Sequence, residues 1–375
     1  MANQPASTTF AAPVMRGLSR VTTFVLTGCL LMGVLAPSPA VAHVKWFAEE
    51  HDFPMRTDLI VSDRTLLALM TATLAVVALT LVERWVRDTN WPNLAIFRRM
   101  AVGAPTILAL QAAIALVASA AQGTLLAPNF PMSHTPLGVA LLGVELFVAI
   151  TFITGILDWV GALALIALLP LGAIVCGPWD VVEQGLWLGI ATVVLVIGRS
   201  STTGWRARPW FQRRDPAWTR RAVAMLRVTT GLTFIALAVG EKLWNPDLGR
   251  AFLVAHPTFN VLHSTLGLSW FSDDLFVLLV GLTEATIGAL LISGRLTRVV
   301  VLAMWLPFHL GIPLLPAQEL IGHLPIFGIM YLLLVHGSGA HRAMRRPEAA
   351  PLDRPIVAKR PLLGAAAVIV HSHPG

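Results

Sequence analysis

What most constrains this chain is a series of apolar runs whose lengths approach one bilayer crossing. A hydrocarbon core of ~30 Å takes about 17–25 helical residues. Backbone polar groups in lipid must be paired inside the segment, so an open chain crosses as helices. Runs of this kind lie near residues 66–82, 101–121, 136–157, 160–176, 185–198, 222–240, 275–293, 298–315 and 320–336. Only 13% of residues are charged and 56% are hydrophobic, whereas a soluble domain carries about 25% charged residues. The expected fold is an all-α polytopic membrane protein with about nine transmembrane helices.

Residues 1–42 read as a secretory signal peptide. Arg16 and Arg20 give a basic start, an apolar run follows to Leu35, and Pro37 and Pro39 break it. Ala40-Val41-Ala42 is a small-x-small cleavage site that leaves His43 first. A lipobox at Leu26-Thr27-Gly28-Cys29 and an uncleaved anchor are the alternatives. Residues 43–65 then form a polar exported arm, and 66–100 hold the first mature helix and a cytoplasmic loop. Residues 199–221 are a basic cytoplasmic loop and 337–375 a basic cytoplasmic tail.

The formal net charge of +7 does not point to nucleic acid, because the basic residues sit in loops between apolar runs. With His43 exported, segments 83–100, 157–160, 199–221, 294–298 and 337–375 carry 19 Lys and Arg. The opposite segments carry 5. That is the positive-inside pattern, and it predicts an exported mature N-terminus and a cytoplasmic C-terminus in a bacterial inner membrane.

The chain also repeats itself. Shifted by 139 positions, 13 of 52 residues from Glu145 to Val196 recur without a gap. Glu145 meets Glu284, Gly155 meets Gly294, Gly172 meets Gly311 and Gly189 meets Gly328. Residues 101–198 and 222–336 therefore read as two parallel four-helix repeats, a pattern known in transport folds. Two unrelated bundles of similar composition are the alternative. The second copy holds the reactive residue types. Its loop after the first helix is longer, and it has His309 and His323 where the first has Pro170 and Gln184.

Three features of residues 222–336 stand together. The first helix ends Gly240-Glu241-Lys242-Leu243-Trp244-Asn245-Pro246, the second carries Glu284, and the turn after it is Gly294-Arg295-Leu296-Thr297-Arg298. On these the segment resembles the DoxX family of small four-helix bacterial membrane proteins, with residues 101–198 as a degenerate copy. The family's founding member is a quinone-reducing oxidoreductase subunit. The resemblance thus implies a redox component that uses quinone and meets an exported or membrane redox partner. In that reading Glu241, Arg295 and Arg298 are the candidates for cofactor contact.

A carboxylate inside a bilayer costs roughly 2.5–3.5 kcal/mol on insertion scales. Glu284 must therefore pair, face the bundle, or hold a proton. His309, on the next helix at similar depth, is its expected partner in proton handling; a structural interhelical hydrogen bond is the alternative. The histidines suggest a second chemistry. His43, His51, His256, His263 and His323 all fall on the exported side, and imidazole suits copper or zinc. A mature N-terminal His43 resembles the histidine brace of copper monooxygenases. Ordinary polar residues on an exported face explain the same pattern. Three functions follow: quinone-linked redox work, metal binding or transport, and a structural partner for an exported enzyme. No phosphate loop or dinucleotide fingerprint is present.

Overall fold

Prolines, caps and glycines in the sequence set where the helices start and stop. Pro136, Pro216 and Pro246 each occupy the first helical position, where a missing N–H costs nothing. Thr135, Asp215 and Asn245 precede them, and each side chain accepts a backbone N–H of the first turn. The computed structural model describes residues 53–128, 130–132, 134–199, 215–311 and 317–339. The expected signal peptide, His43 and His51, and the basic tail lie outside them.

The longer helices are α1 (Asp63–Val86), α2 (Ala104–Ala121), α3 (Pro136–Thr154), α4 (Asp158–Cys176), α5 (Leu186–Ile197), α6 (Pro216–Ala238), α7 (Pro246–Ala255), α8 (Asp273–Ser293), α9 (Thr297–Gly311) and α10 (Ala317–His336). Among the described residues there is no strand. Six spans are long and apolar enough to cross a membrane: α1, α2, α3, α4, α6 with its extension to Leu243, and α8. Shorter apolar helices cover Leu186–Ile197, Thr297–Leu306 and Leu320–His336. The protein is a multi-pass, all-α membrane protein.

Two rings of helices share one seam. In the first ring α2 packs on α3, α3 on α4, α4 on α5 and α5 back on α2. In the second, α6 packs on α8, α8 on α9, α9 on α10 and α10 back on α6. The seam joins α5 to α6 and α10 to α2, so the first and last helices of each ring meet the last and first of the other. Glycines allow both approaches. A Cβ on Gly189 of α5 would lie 2.7 Å from the Leu226 Cα of α6, and one on Gly328 of α10 would lie 3.1 Å from the Leu108 Cα of α2. Inside the second ring Gly231 and Gly288 face one another, and a Cβ on Gly231 would lie 2.6 Å from the Gly288 carbonyl. Small residues at such crossings let backbones pack closely where lipid offers no hydrophobic drive.

The two turns 139 residues apart have one shape. Gly155 (φ 68°) and Leu157 (φ 54°) link α3 to α4, and Gly294 (φ 69°) and Leu296 (φ 41°) link α8 to α9. Gly198 and Gly337, which follow α5 and α10, have φ of 75° and 73°. These turns mark one end of the bundle, here the turn end. The loops after α2 and α6 mark the other, the loop end.

Helix α1 stands outside both rings and packs on α8. It is pinned at each end. At the loop end the Trp244 indole N–H donates to Thr65 Oγ1 at 3.0 Å, and Arg56 N–H donates to the Trp244 carbonyl at 2.9 Å. At the turn end Arg295 pairs with Glu83 at 3.0 Å.

A buried lysine between two carboxylates as the candidate functional site

Helix α6 does not stop where its α-geometry ends. Residues Val239–Leu243 continue it as a π-helical turn. Such turns insert one residue into a helix, change which side chains face inward, and recur at functional sites. Here the turn carries Gly240, Glu241, Lys242 and Leu243 into the interior, all of them buried.

Each residue of the Gly-Glu-Lys-Leu-Trp-Asn-Pro stretch has a physical task. Gly240 lies flat against Glu183 and Trp179, where a Cβ would come within 2.7 Å of the Glu183 carboxylate. Leu243 fills a small cluster with Ala68, Ala238, Leu282 and Ala285. Asn245 caps α7 and also donates to the Phe53 carbonyl at 2.6 Å, clasping the segment before α1.

Lys242 holds the centre. Its Nζ lies 2.9 Å from Glu241 Oε2 and 3.0 Å from Glu284 Oε2. Glu241 and Lys242 are 1% and 7% exposed, while the Glu284 side chain is 23% exposed and forms the open side of the cluster. Gly281, one turn before Glu284, lets α8 lie flush on Lys242 and Leu243, 3.1 Å from where its Cβ would be. Glu284 stands about 16 Å along α8 from Asp273, at 1.5 Å per residue. The cluster is therefore well inside the apolar span. With all three groups ionised it carries one net negative charge, and a proton or a small cation would neutralise it.

The expected partner of Glu284 was His309, but its ion-pair partner is Lys242. His309 is exposed and stacks on Trp305 with ring centroids 4.1 Å apart, its Nδ1 being 2.8 Å from the Trp305 carbonyl. The other sequence candidates are dispersed. Glu241 joins the cluster. Arg295 is at the turn end in its pair with Glu83. Arg298 donates to the Leu334, Val335 and Asn90 carbonyls and lies over the Phe97 ring, so its donors close helix ends. His256 packs between Phe252 and Phe259, His323 lies against Phe308 and Phe327, and His263 is exposed. Among the described residues no three His, Cys, Asp or Glu side chains are grouped as metal ligands.

Lys242 stands in the Gly-Glu-Lys-Leu-Trp-Asn-Pro motif, and the sequence alone assigns it no role. A lysine closing an apolar run, next to a glutamate, was the available signal. Arg227 was missed as well. It is 9% exposed on α6 and donates to the Leu291 and Ile292 carbonyls at the end of α8 and to the Ser338 carbonyl after α10.

The first ring has a counterpart of another kind. Glu145 on α3 is fully buried, and its Oε1 accepts the Leu126 N–H at 2.9 Å. It faces a backbone turn in which Leu126 has φ 63°, and its Oε2 makes no hydrogen bond among the described residues.

Fold and site together define an integral membrane protein with a buried ionisable cluster. No family model, no curated protein and no solved structure matches the chain.

Proposed function

We propose that this protein is a DoxX-like, quinone-linked redox component of a bacterial inner membrane that handles protons at the outer face. In this reading the mature chain crosses nine times, as the six long helices and three shorter ones, and residues 101–198 and 222–336 are two copies of one unit. The reciprocal seam and the matched turns support the repeat. The bias of 19 against 5 basic residues supports an exported loop end and a cytoplasmic turn end.

The observation that carries the proposal is the Glu241–Lys242–Glu284 cluster inside the bilayer. Ionisable groups at such depth are costly and mark proton or ion pathways. The residue types suit the two forms of a quinone. The Lys242 ammonium donates to a ring carbonyl, and a carboxylate accepts the proton of a ring hydroxyl. Glu284, the most open member, is the group that meets the lipid-phase substrate, and electrons pass between the quinone and the redox partner on the exported side.

The test is electron transfer from a short-chain quinol to ferricyanide in membrane vesicles, compared with vesicles lacking the protein. Glu284→Gln should lower the protein-dependent rate at least tenfold, and Glu145→Gln should leave it within twofold. A larger loss from Glu145→Gln at equal expression would overturn the assignment of the working half. Absence of any protein-dependent transfer would overturn the redox reading.

A further inference from the structure

A second feature lies on the seam between the rings. A pocket of about 50 Å³ sits at the loop end between α2, the start of α5 and the start of α10. One ordered water needs only about 10–15 Å³ on a comparable measure. The space therefore takes several waters or the polar end of a small molecule. Its walls are mostly apolar, with Trp187 and Leu186 on one side and Pro325 and Ile326 on the other. None of the described residues lining it is charged.

Two polar groups are left over here. The first is Gln184. It is 9% exposed, it lines the pocket, and its side-chain amide makes no hydrogen bond among the described residues. An amide that meets no protein partner takes its hydrogen bonds from whatever fills the pocket. The second is the Ile321 carbonyl. Pro325 lies inside α10 and has no N–H to give to the residue four before it, which is Ile321. Both Ile321 and Pro325 line the pocket. Ser119 is there too, but its hydroxyl is already taken up by Thr124. Backbone with broken hydrogen bonding is tolerated at membrane depth where it lines a cavity, and repeat interfaces are where such cavities bind ligands.

We propose that this seam pocket is a binding site for an uncharged molecule that presents a hydroxyl or primary amide. Such a group donates to the Ile321 carbonyl and accepts from the Gln184 amide at the same time. A carbonyl alone satisfies only Gln184, and a charged group meets no counter-charge. The rest of the ligand lies on the Trp187 and Pro325 side or leaves beside Gln122, which is exposed. The ligand comes either from the lipid phase, as the hydroxyl end of an apolar molecule, or from water, as a small polar solute. The inference does not depend on the role proposed for Glu284.

Purified full-length protein in nanodiscs provides the test. The probe is 4-bromophenol, whose bromine quenches nearby indoles; 4-bromotoluene has the same ring without the hydroxyl. The signal is the emission of the native protein minus that of Trp187→Phe. Saturable quenching by 4-bromophenol and none by 4-bromotoluene is expected. Gln184→Leu should weaken it at least tenfold. Pro325→Ala, which restores an N–H to the Ile321 carbonyl and favours the helix, should weaken it severalfold even if Gln184→Leu fails to fold. Competition by 1-decanol assigns the natural ligand to the lipid phase, and competition by acetamide assigns it to water. Equal quenching by 4-bromotoluene, an affinity unchanged in Pro325→Ala, or no saturable quenching at all would overturn the site.

Discussion

The two rings carry a glutamate at the same place in their second helices and use it differently. Glu145 accepts a backbone N–H from a tight turn, as a structural carboxylate does. Glu284 faces a lysine that also holds Glu241. What separates them is the element opposite. In the first ring the chain leaves α2 and folds at once into a turn braced by Ser119 and Thr124. In the second, a π-turn extends α6 and delivers a cation. Equivalent carboxylates thus acquire different chemistry from a change of one turn in a neighbouring helix.

The sharpest way to break that comparison is to remove the cation. Lys242→Met leaves two carboxylates in the bilayer without their counter-charge. Breaking a buried pair from one side costs about 3–5 kcal/mol. We expect a loss of that order in the unfolding free energy of the reconstituted protein from denaturant titration. A value within ~0.5 kcal/mol of the native one would mean that the cluster is solvated, and the contrast with Glu145 would vanish.

Next comes the close crossing inside the second ring. Gly288→Val puts two methyl groups where the Gly231 carbonyl already lies. Overpacking of this kind costs about 1–3 kcal/mol. Gly143 on α3, with nothing within 4 Å of a built Cβ, is the control in the first ring, and Gly143→Ala should be nearly silent. Equal effects in a thermal-unfolding series would show that the α6–α8 contact is looser than its geometry.

A smaller effect attaches to the pin between α1 and the second ring. Arg295 is 44% exposed on its side chain, so the pair with Glu83 should contribute only about 0.2–1 kcal/mol. A double-mutant cycle of Arg295→Gln and Glu83→Gln measures the coupling. A value above ~2 kcal/mol would make α1 an integral part of the second ring rather than a peripheral span.

The smallest effect concerns the segment before α1. The hydrogen bond from Arg56 holds the Asp58 carboxyl below its ordinary range. A depressed folded-state value means that the contribution is present above the unfolded-state value, near 3.9, and fades as pH falls through the folded one. The pair is exposed, so Asp58→Asn should alter stability little at neutral pH. It should flatten the acid limb of a melting-temperature profile below about pH 4. An unchanged acid limb would show that Arg56 and Asp58 are not paired in solution.

Legibility in the sequence followed the range of the interactions. Helix ends have local causes, Pro216 after Asp215, Pro246 after Asn245, and glycines 155 and 294 where φ is positive, yet apolar runs alone place the start of α6 at residue 222, six residues inside it, and miss α7. The membrane class was readable because apolar length is a property of single segments. The pairing of Glu284 with His309 rested on matching depth on adjacent helices. Depth fixes one coordinate of a side chain and leaves its rotation about the helix axis open, and rotation decides contact.

By itself, then, the sequence determined the all-α membrane class, the approximate place of the long apolar helices, and the presence of a carboxylate too deep to stay alone. Only the tertiary structure decided that Lys242 answers it from 42 positions away. It also decided that Arg298 clamps carbonyls and that Gln184 and Ile321 line one seam pocket. The physical reason lies in the π-turn and the glycine crossings. A π-turn leaves no periodic trace in an apolar run. The flush contacts at Gly189, Gly231, Gly281 and Gly328 set the spacing of helices far apart in the chain. Which polar groups then come within 3 Å is a property of the packed bundle and of no single helix.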